Sequence, residues 1–188
     1  QYLNSLEPLE KAMTDSLKLA FVGCGAIAPF HLDGIEEHAS RITVTACIDL
    51  DEARARDFAE RTGGQAFASL EEALPTGEFD AVDIMLPHDL HEMVAIQCLE
   101  AQKHVLLEKP MAPTLEACDR ILAMDLDHIV PGHGPLTDAA GVRAVRDYLG
   151  FIRDETRLRF EAGLSPRDAA FDIPLGAYAD WLDSERIV

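Results

Sequence analysis

Gly23, Gly25 and Ala28 stand in the run Lys18-Leu-Ala-Phe-Val-Gly-Cys-Gly-Ala-Ile-Ala28, and Asp49 closes the run Ile42-Thr-Val-Thr-Ala-Cys-Ile-Asp49. The chemistry these types and spacings offer is the holding of a dinucleotide. A glycine at 23 permits a tight turn. A glycine at 25 leaves no side chain between the backbone and a diphosphate. Alanine at 28 is small enough for a helix to lie close to the preceding strand. The start of that helix offers unpaired N–H groups and the positive end of a dipole to phosphate oxygens. Asp49 can accept hydrogen bonds from both hydroxyls of an adenosine ribose. Cys24, Ala26 and Ile27 complete the bend and belong with Gly23, Gly25, Asp49 and Leu50 to the expected cofactor-binding set. Leu50 is not basic, so a 2′-phosphate finds no partner beside Asp49; NAD is expected ahead of NADP. An ordinary strand–turn–helix would also use glycines. The carboxylate at the end of the next strand is what favours the dinucleotide.

These residues need strands that end together. Strand patterns cover 17–22, 42–48, 65–67, 80–86 and 103–107, with helix patterns at 26–38, 51–61, 69–74 and 89–101 between them. Thr114 caps a further helix to about residue 124. Alternation of this kind predicts an α/β, Rossmann-like, doubly wound parallel sheet with right-handed crossovers. Gly63-Gly64 ends the second helix. The chain ends read differently. Leu3, Leu6, Leu9 and Met13 have helical spacing; Asp127 to Pro135 form a short strand and a Gly/Pro loop. A long helix starts near Asp138 with Val142, Val145, Leu149 and Ile152 on one stripe, Ser165-Pro166 opens another, and 178–188 is expected to be helical before fraying.

The 188 residues carry a formal charge of −18, which disfavours nucleic acid and anionic membrane as partners. A small molecule, unidentified, is the expected substrate. Cys24, Cys47, Cys98 and Cys118 form no Cys-x-x-Cys pair and read as free thiols in a reducing cytoplasm; zinc and disulfides are not expected. No run suits a membrane span or a signal peptide. A chain opening on Gln1 is expected to be a processed product, a fragment or a recombinant piece.

The stretch 16–124 resembles the N-terminal, NAD(P)-binding half of the Gfo/Idh/MocA oxidoreductases. The resemblance rests on Gly23-Cys-Gly-Ala-Ile-Ala28 with His31, on Cys47-Ile-Asp49, on Asp80-Ala-Val-Asp-Ile84 with Pro87-His-Asp-Leu-His91, and on Lys103-His-Val-Leu-Leu-Glu-Lys-Pro110. It implies hydride transfer between a nicotinamide and a sugar or cyclitol hydroxyl, with Lys109 as the catalytic residue beside the nicotinamide. Leu86, Pro87, His91, Glu108 and Lys109 then join the cofactor site, Pro87 as wall and Glu108 as an orienting group. His88 and His91 read as loop structure or helix caps rather than acid–base groups. The family's second domain, a large open sheet holding the substrate, does not resemble the tail after Met124, so dinucleotide binding is expected to outlast sugar turnover.

The tail resembles a different family, the C-terminal end of metallo-β-lactamase-fold hydrolases, through Ile129-Val-Pro-Gly-His-Gly-Pro135, the long helix, Gly163 to Ala170, Tyr178 and Trp181. Tyr2 to Glu10 resembles the helix before that loop, and Ala-Met recurs at 12–13 and 123–124. The chain therefore reads as a dinucleotide domain, 14–124, inserted into or fused with a segment formed by 1–13 and 125–188. The family's His-x-His-x-Asp-His cluster is absent, so His133 is a metal ligand only if a partner supplies the rest. The alternatives are a truncated zinc hydrolase and a non-catalytic assembly module that makes a homo-oligomer through its terminal helices.

Overall fold

The computed structural model describes residues 16–76, 78–124, 126–130 and 136–179. The helix expected within 1–13, the loop 131–135 with His133, and the terminus 180–188 with Trp181 lie outside them.

Five parallel strands form one sheet in the order β3-β2-β1-β4-β5. They are β1 Leu17–Val22, β2 Ile42–Ile48, β3 Gln65–Phe67, β4 Ala81–Ile84 and β5 His104–Leu107. The helices that alternate with them are α1 Ala28–Glu36, α2 Glu52–Thr62, α3 Leu70–Ala73, α4 His91–Glu100 and α5 Leu115–Leu122. The fold is α/β and Rossmann-like. Successive strand residues supply opposite faces: Ala20, Val22, Val82 and Ile84 enter one core cluster, while Leu19, Phe21, Ala81 and Met85 enter the other. Because both faces are covered, the strands read as apolar runs instead of alternating ones.

Helix ends follow side-chain chemistry. Asp51 caps α2 on the Ala53 N–H, Ser69 caps α3 on Glu72 and Thr114 caps α5 on Ala117. Gly63, in the left-handed region at φ 76°, terminates α2. Several elements are shorter than the sequence patterns, α1, α3 and β5 by one or two residues at an end. The strand expected over 80–86 ends at Ile84; Met85 still donates its N–H to the Val22 carbonyl of β1 before the chain turns into Pro87. The helix expected from 89 begins with a 3-10 turn, His88–Leu90, before α4.

The chain divides into two compact units, the first running to Met124 and the second starting at Asp125. In the second, Ile129 and Thr137 form an antiparallel bridge in place of the expected strand. Asp138 then caps α6, Ala139–Glu161, by accepting from the Ala140 and Gly141 N–H groups. Ser165 caps α7, Pro166–Asp172. Arg159 of α6 reaches the Asp172 carbonyl at 2.7 Å, and Tyr178 packs its ring on Tyr148 and Phe151. Among the described residues, no helix is long and apolar enough to cross a membrane.

Cys24, Cys47 and Cys98 are buried free thiols, and burial pushes the Cys98 thiol up to about 12. Cys118 is partly exposed. A thiol reagent is expected to label Cys118 first in the native protein and the other three only after denaturation. Rapid native labelling of Cys98, read by peptide mass, would contradict this packing.

Candidate functional site

The carboxyl ends of β1, β2, β4 and β5 meet where the strand order reverses, between β1 and β4. An open parallel sheet leaves a crevice at such a point. Gly23 continues β1 by donating its N–H to the Ile48 carbonyl at 2.8 Å, and the bend follows with φ +98° at Gly23. A Cβ at this position would lie 2.6 Å from the Met85 carbonyl oxygen. Only glycine therefore lets the bend pass this close to β4. A Cβ on Gly25 would meet nothing within 4 Å, so its backbone faces open space. Among the described residues, no acceptor pairs with the Gly25, Ala26 or Ile27 N–H. Ala28, the first residue of α1, is fully buried against the sheet. These are the features a diphosphate cradle requires.

Asp49 follows β2 and reaches the glycine bend. One carboxylate oxygen accepts from the Cys24 N–H at 2.9 Å, and the other accepts from the Asp51 N–H at 2.8 Å. Each ionised oxygen retains acceptor capacity, so ribose hydroxyls can still bind. A cleft of about 640 Å³ is lined by Cys24, Gly25, Ala26, Ala53, Arg54, Asp57 and Phe58. Leu50 is 87% exposed. Arg54 carries no signal in the sequence: it is the third residue of α2, lines this cleft, and its guanidinium rests 3.4 Å from Asp51.

At the other end of the crevice, Leu86 approaches Gly23 and Pro87 is exposed. Glu108 continues β5 by donating its N–H to the Ile84 carbonyl, and its Oε2 accepts from the Lys109 N–H at 3.0 Å. Lys109 is exposed, and its bond to Pro110 is cis. His91 takes a structural place. It is fully buried, with Nδ1 2.8 Å from the Pro110 carbonyl oxygen and Nε2 2.9 Å from that of Leu86. It braces the turn after β4 against the lysine turn with both ring nitrogens engaged inside the fold.

A third group was noted in the sequence only in part. His31 of α1 lies between Asp83 Oδ2, at 2.7 Å from Nδ1, and Glu108 Oε1, at 3.0 Å from Nε2. Asp83 is completely buried on β4, and among the described residues its Oδ1 has no hydrogen-bond partner. Burial lowers the His31 imidazole, but bonding to and charge from Asp83 and Glu108 outweigh it and raise the group above 6.5. Burial raises the Asp83 carboxyl, and the His31 contact holds Glu108 low. The detectable signal was an aspartate inside an apolar strand, Ala81-Val-Asp-Ile84, which needs a partner.

The model of the Gfo/Idh/MocA oxidoreductase family, NAD-binding Rossmann fold, matches residues 17–127. The chain belongs to this family. Among its relatives is the inositol 2-dehydrogenase of Corynebacterium glutamicum strain R, 39% identical over 114 residues that make up 60% of this chain and 34% of the relative. Two solved structures share its fold. The WlbA dehydrogenase of Bordetella pertussis, in complex with NADH and UDP-GlcNAcA, is 31% identical with a TM-score of 0.56, over 57% of this chain and 34% of that one. KijD10, a 3-ketoreductase from Actinomadura kijaniata in complex with NADP and TDP-benzene, is 32% identical with a TM-score of 0.55, over 58% and 34%. The chain thus spans about a third of the length of the curated relatives it matches. Among the described residues, no group of three or more His, Cys, Asp or Glu side chains is placed to hold a metal.

Proposed function

We propose that this chain binds NAD along the carboxyl ends of its strands. The diphosphate lies on the amides of Gly25, Ala26 and Ile27 at the start of α1, and Asp49 holds the adenosine ribose. The nicotinamide points toward Leu86, Pro87 and the Glu108-Lys109 turn. The observation that supports this reading is the Asp49 carboxylate on the Cys24 amide, beside the amides proposed to hold the diphosphate. Bound NAD supplies the hydride acceptor. A neutral Lys109 amine would accept the hydroxyl proton as the hydride leaves, and the ammonium so formed would stabilise the alkoxide and return the proton in the reverse direction. A sugar or cyclitol hydroxyl is the proposed reactant. Its turnover is proposed only together with the substrate-binding portion that the longer relatives possess.

NAD is favoured over NADP because a 2′-phosphate would sit against Asp49 and beside the apolar Leu50. One unfavourable charge contact of about 1.4 kcal/mol corresponds to tenfold in affinity. Titration of the chain with NADH and NADPH, followed by nucleotide fluorescence, is expected to give saturable NADH binding at least about tenfold tighter than NADPH. Flat titrations at millimolar nucleotide would overturn the assignment.

The origin of the second unit in a metallo-β-lactamase-like tail remains part of the proposal. It is supported by the unit boundary at Asp125 and by the succession of Asp138-capped α6 and Ser165-capped α7. No zinc site is assigned, and His133 lies outside the described residues. Self-assembly through the terminal helices rests on the Val142, Val145, Leu149 and Ile152 stripe.

A further inference from the structure

We propose that His31 is a positioning residue for Lys109, holding Glu108 where its second oxygen caps the Lys109 amide. The inference rests on the reading above, in which Lys109 faces the nicotinamide. Three elements contribute: α1 through His31, β4 through Asp83, and the segment after β5 through Glu108 and its neighbour Lys109. The ring spans two carboxylates, at 2.7 Å and 3.0 Å, and Glu108 passes the constraint on through its Oε2 contact with the Lys109 N–H at 3.0 Å. The helix whose first turn would bear on the diphosphate is thereby tied to the lysine turn at the far end of the crevice.

Proton counting gives the consequence. With one proton shared between His31 and Asp83, both contacts of the ring are hydrogen bonds, whichever partner holds it. Once that proton leaves, the neutral imidazole has a single N–H for two carboxylates. Asp83 is fully buried and, among the described residues, already has one oxygen without a partner, whereas the Glu108 side chain is 26% exposed to solvent. An unpaired buried carboxylate is the costlier outcome, so the N–H stays on Asp83 and Glu108 is released. The sign follows from the raised imidazole. The clamp is complete below 6.5 and is lost as pH rises through the elevated midpoint of the trio. The acid side is guarded by Glu108, which stays ionised below its ordinary range. The charged groups facing the ring are Asp83 and Glu108, with Lys109 adjacent to the latter.

The test is NMR of the isotope-labelled full chain, without nucleotide, from about pH 5 to about pH 9. The Lys109 amide resonance is expected to move with the same midpoint as the His31 ring protons, above 6.5. In Glu108→Gln the Lys109 step should vanish while the His31 step persists. The wild-type measurement stands alone if that variant fails to fold. A Lys109 amide that stays still through the His31 midpoint overturns the proposal, as does one that still follows it in Glu108→Gln. So does a His31 that titrates below 6.5. These readings need no cofactor, so failure of NADH to bind registers separately, in the titration described above.

Discussion

Gly23→Ala is expected to remove NADH binding and to destabilise the first unit. At φ +98° an L side chain costs roughly 1–2 kcal/mol. The new Cβ would also meet the Met85 carbonyl oxygen at 2.6 Å, and this neighbour is backbone held by its own strand. Forced repacking of that kind adds about 1–3 kcal/mol. The bend must therefore move away from β4, taking the diphosphate amides out of register. Loss of even one or two charge-assisted hydrogen bonds, at about 1.5–3 kcal/mol each, weakens binding by at least about tenfold. Thermal melts and NADH titration of the variant check both effects. A variant that melts and binds like the wild type would refute the close approach.

Asp49→Ala has the second largest expected effect. The carboxylate now accepts from two backbone N–H groups, those of Cys24 and Asp51, at 2.9 and 2.8 Å. Its removal loosens the bend and the start of α2 together, at about 1–3 kcal/mol for orphaned donors. Losing the ribose acceptors as well should weaken NADH by about tenfold to a hundredfold. Asp49→Asn, which keeps one carbonyl oxygen, should fall between the two. Unchanged NADH affinity in the alanine variant would separate Asp49 from the cofactor, leaving it a structural brace of the bend.

The parallel sheet was legible because its strands are apolar runs bounded by turn residues, although α1 and α4 start without a side-chain cap. Thr114 and Ser165 are local capping signals and hold as such, while Asp51, expected inside its helix, is its N-cap. Gly23 and Asp49 were legible for the same reason: a sharp bend and a carboxylate at a strand end are written in residue type. What escaped depends on distant partners. Nothing local to His91 announces that both its nitrogens meet carbonyls of Leu86 and Pro110, five and nineteen positions away. Likewise Glu108 read as a neighbour of Lys109, while its bond to His31 spans seventy-seven positions. Arg54 was passed over because an arginine on an exposed helical turn has many ordinary uses. Met85 and Leu86 extended the strand pattern because they are apolar, and Met85 is buried in the core although β4 ends at Ile84.

The strand order has one more implication. Only β4 lies between β1, which delivers the glycine bend, and β5, which delivers Lys109. Neighbouring strands in any sheet sit about 4.8 Å apart, so the two ends of the crevice are separated laterally by roughly 10 Å. The sheet is thus a ruler for its guest: connecting segments can lengthen or shorten at the surface without altering the gauge, and only a strand gained or lost between β1 and β5 would change the size of molecule that fits.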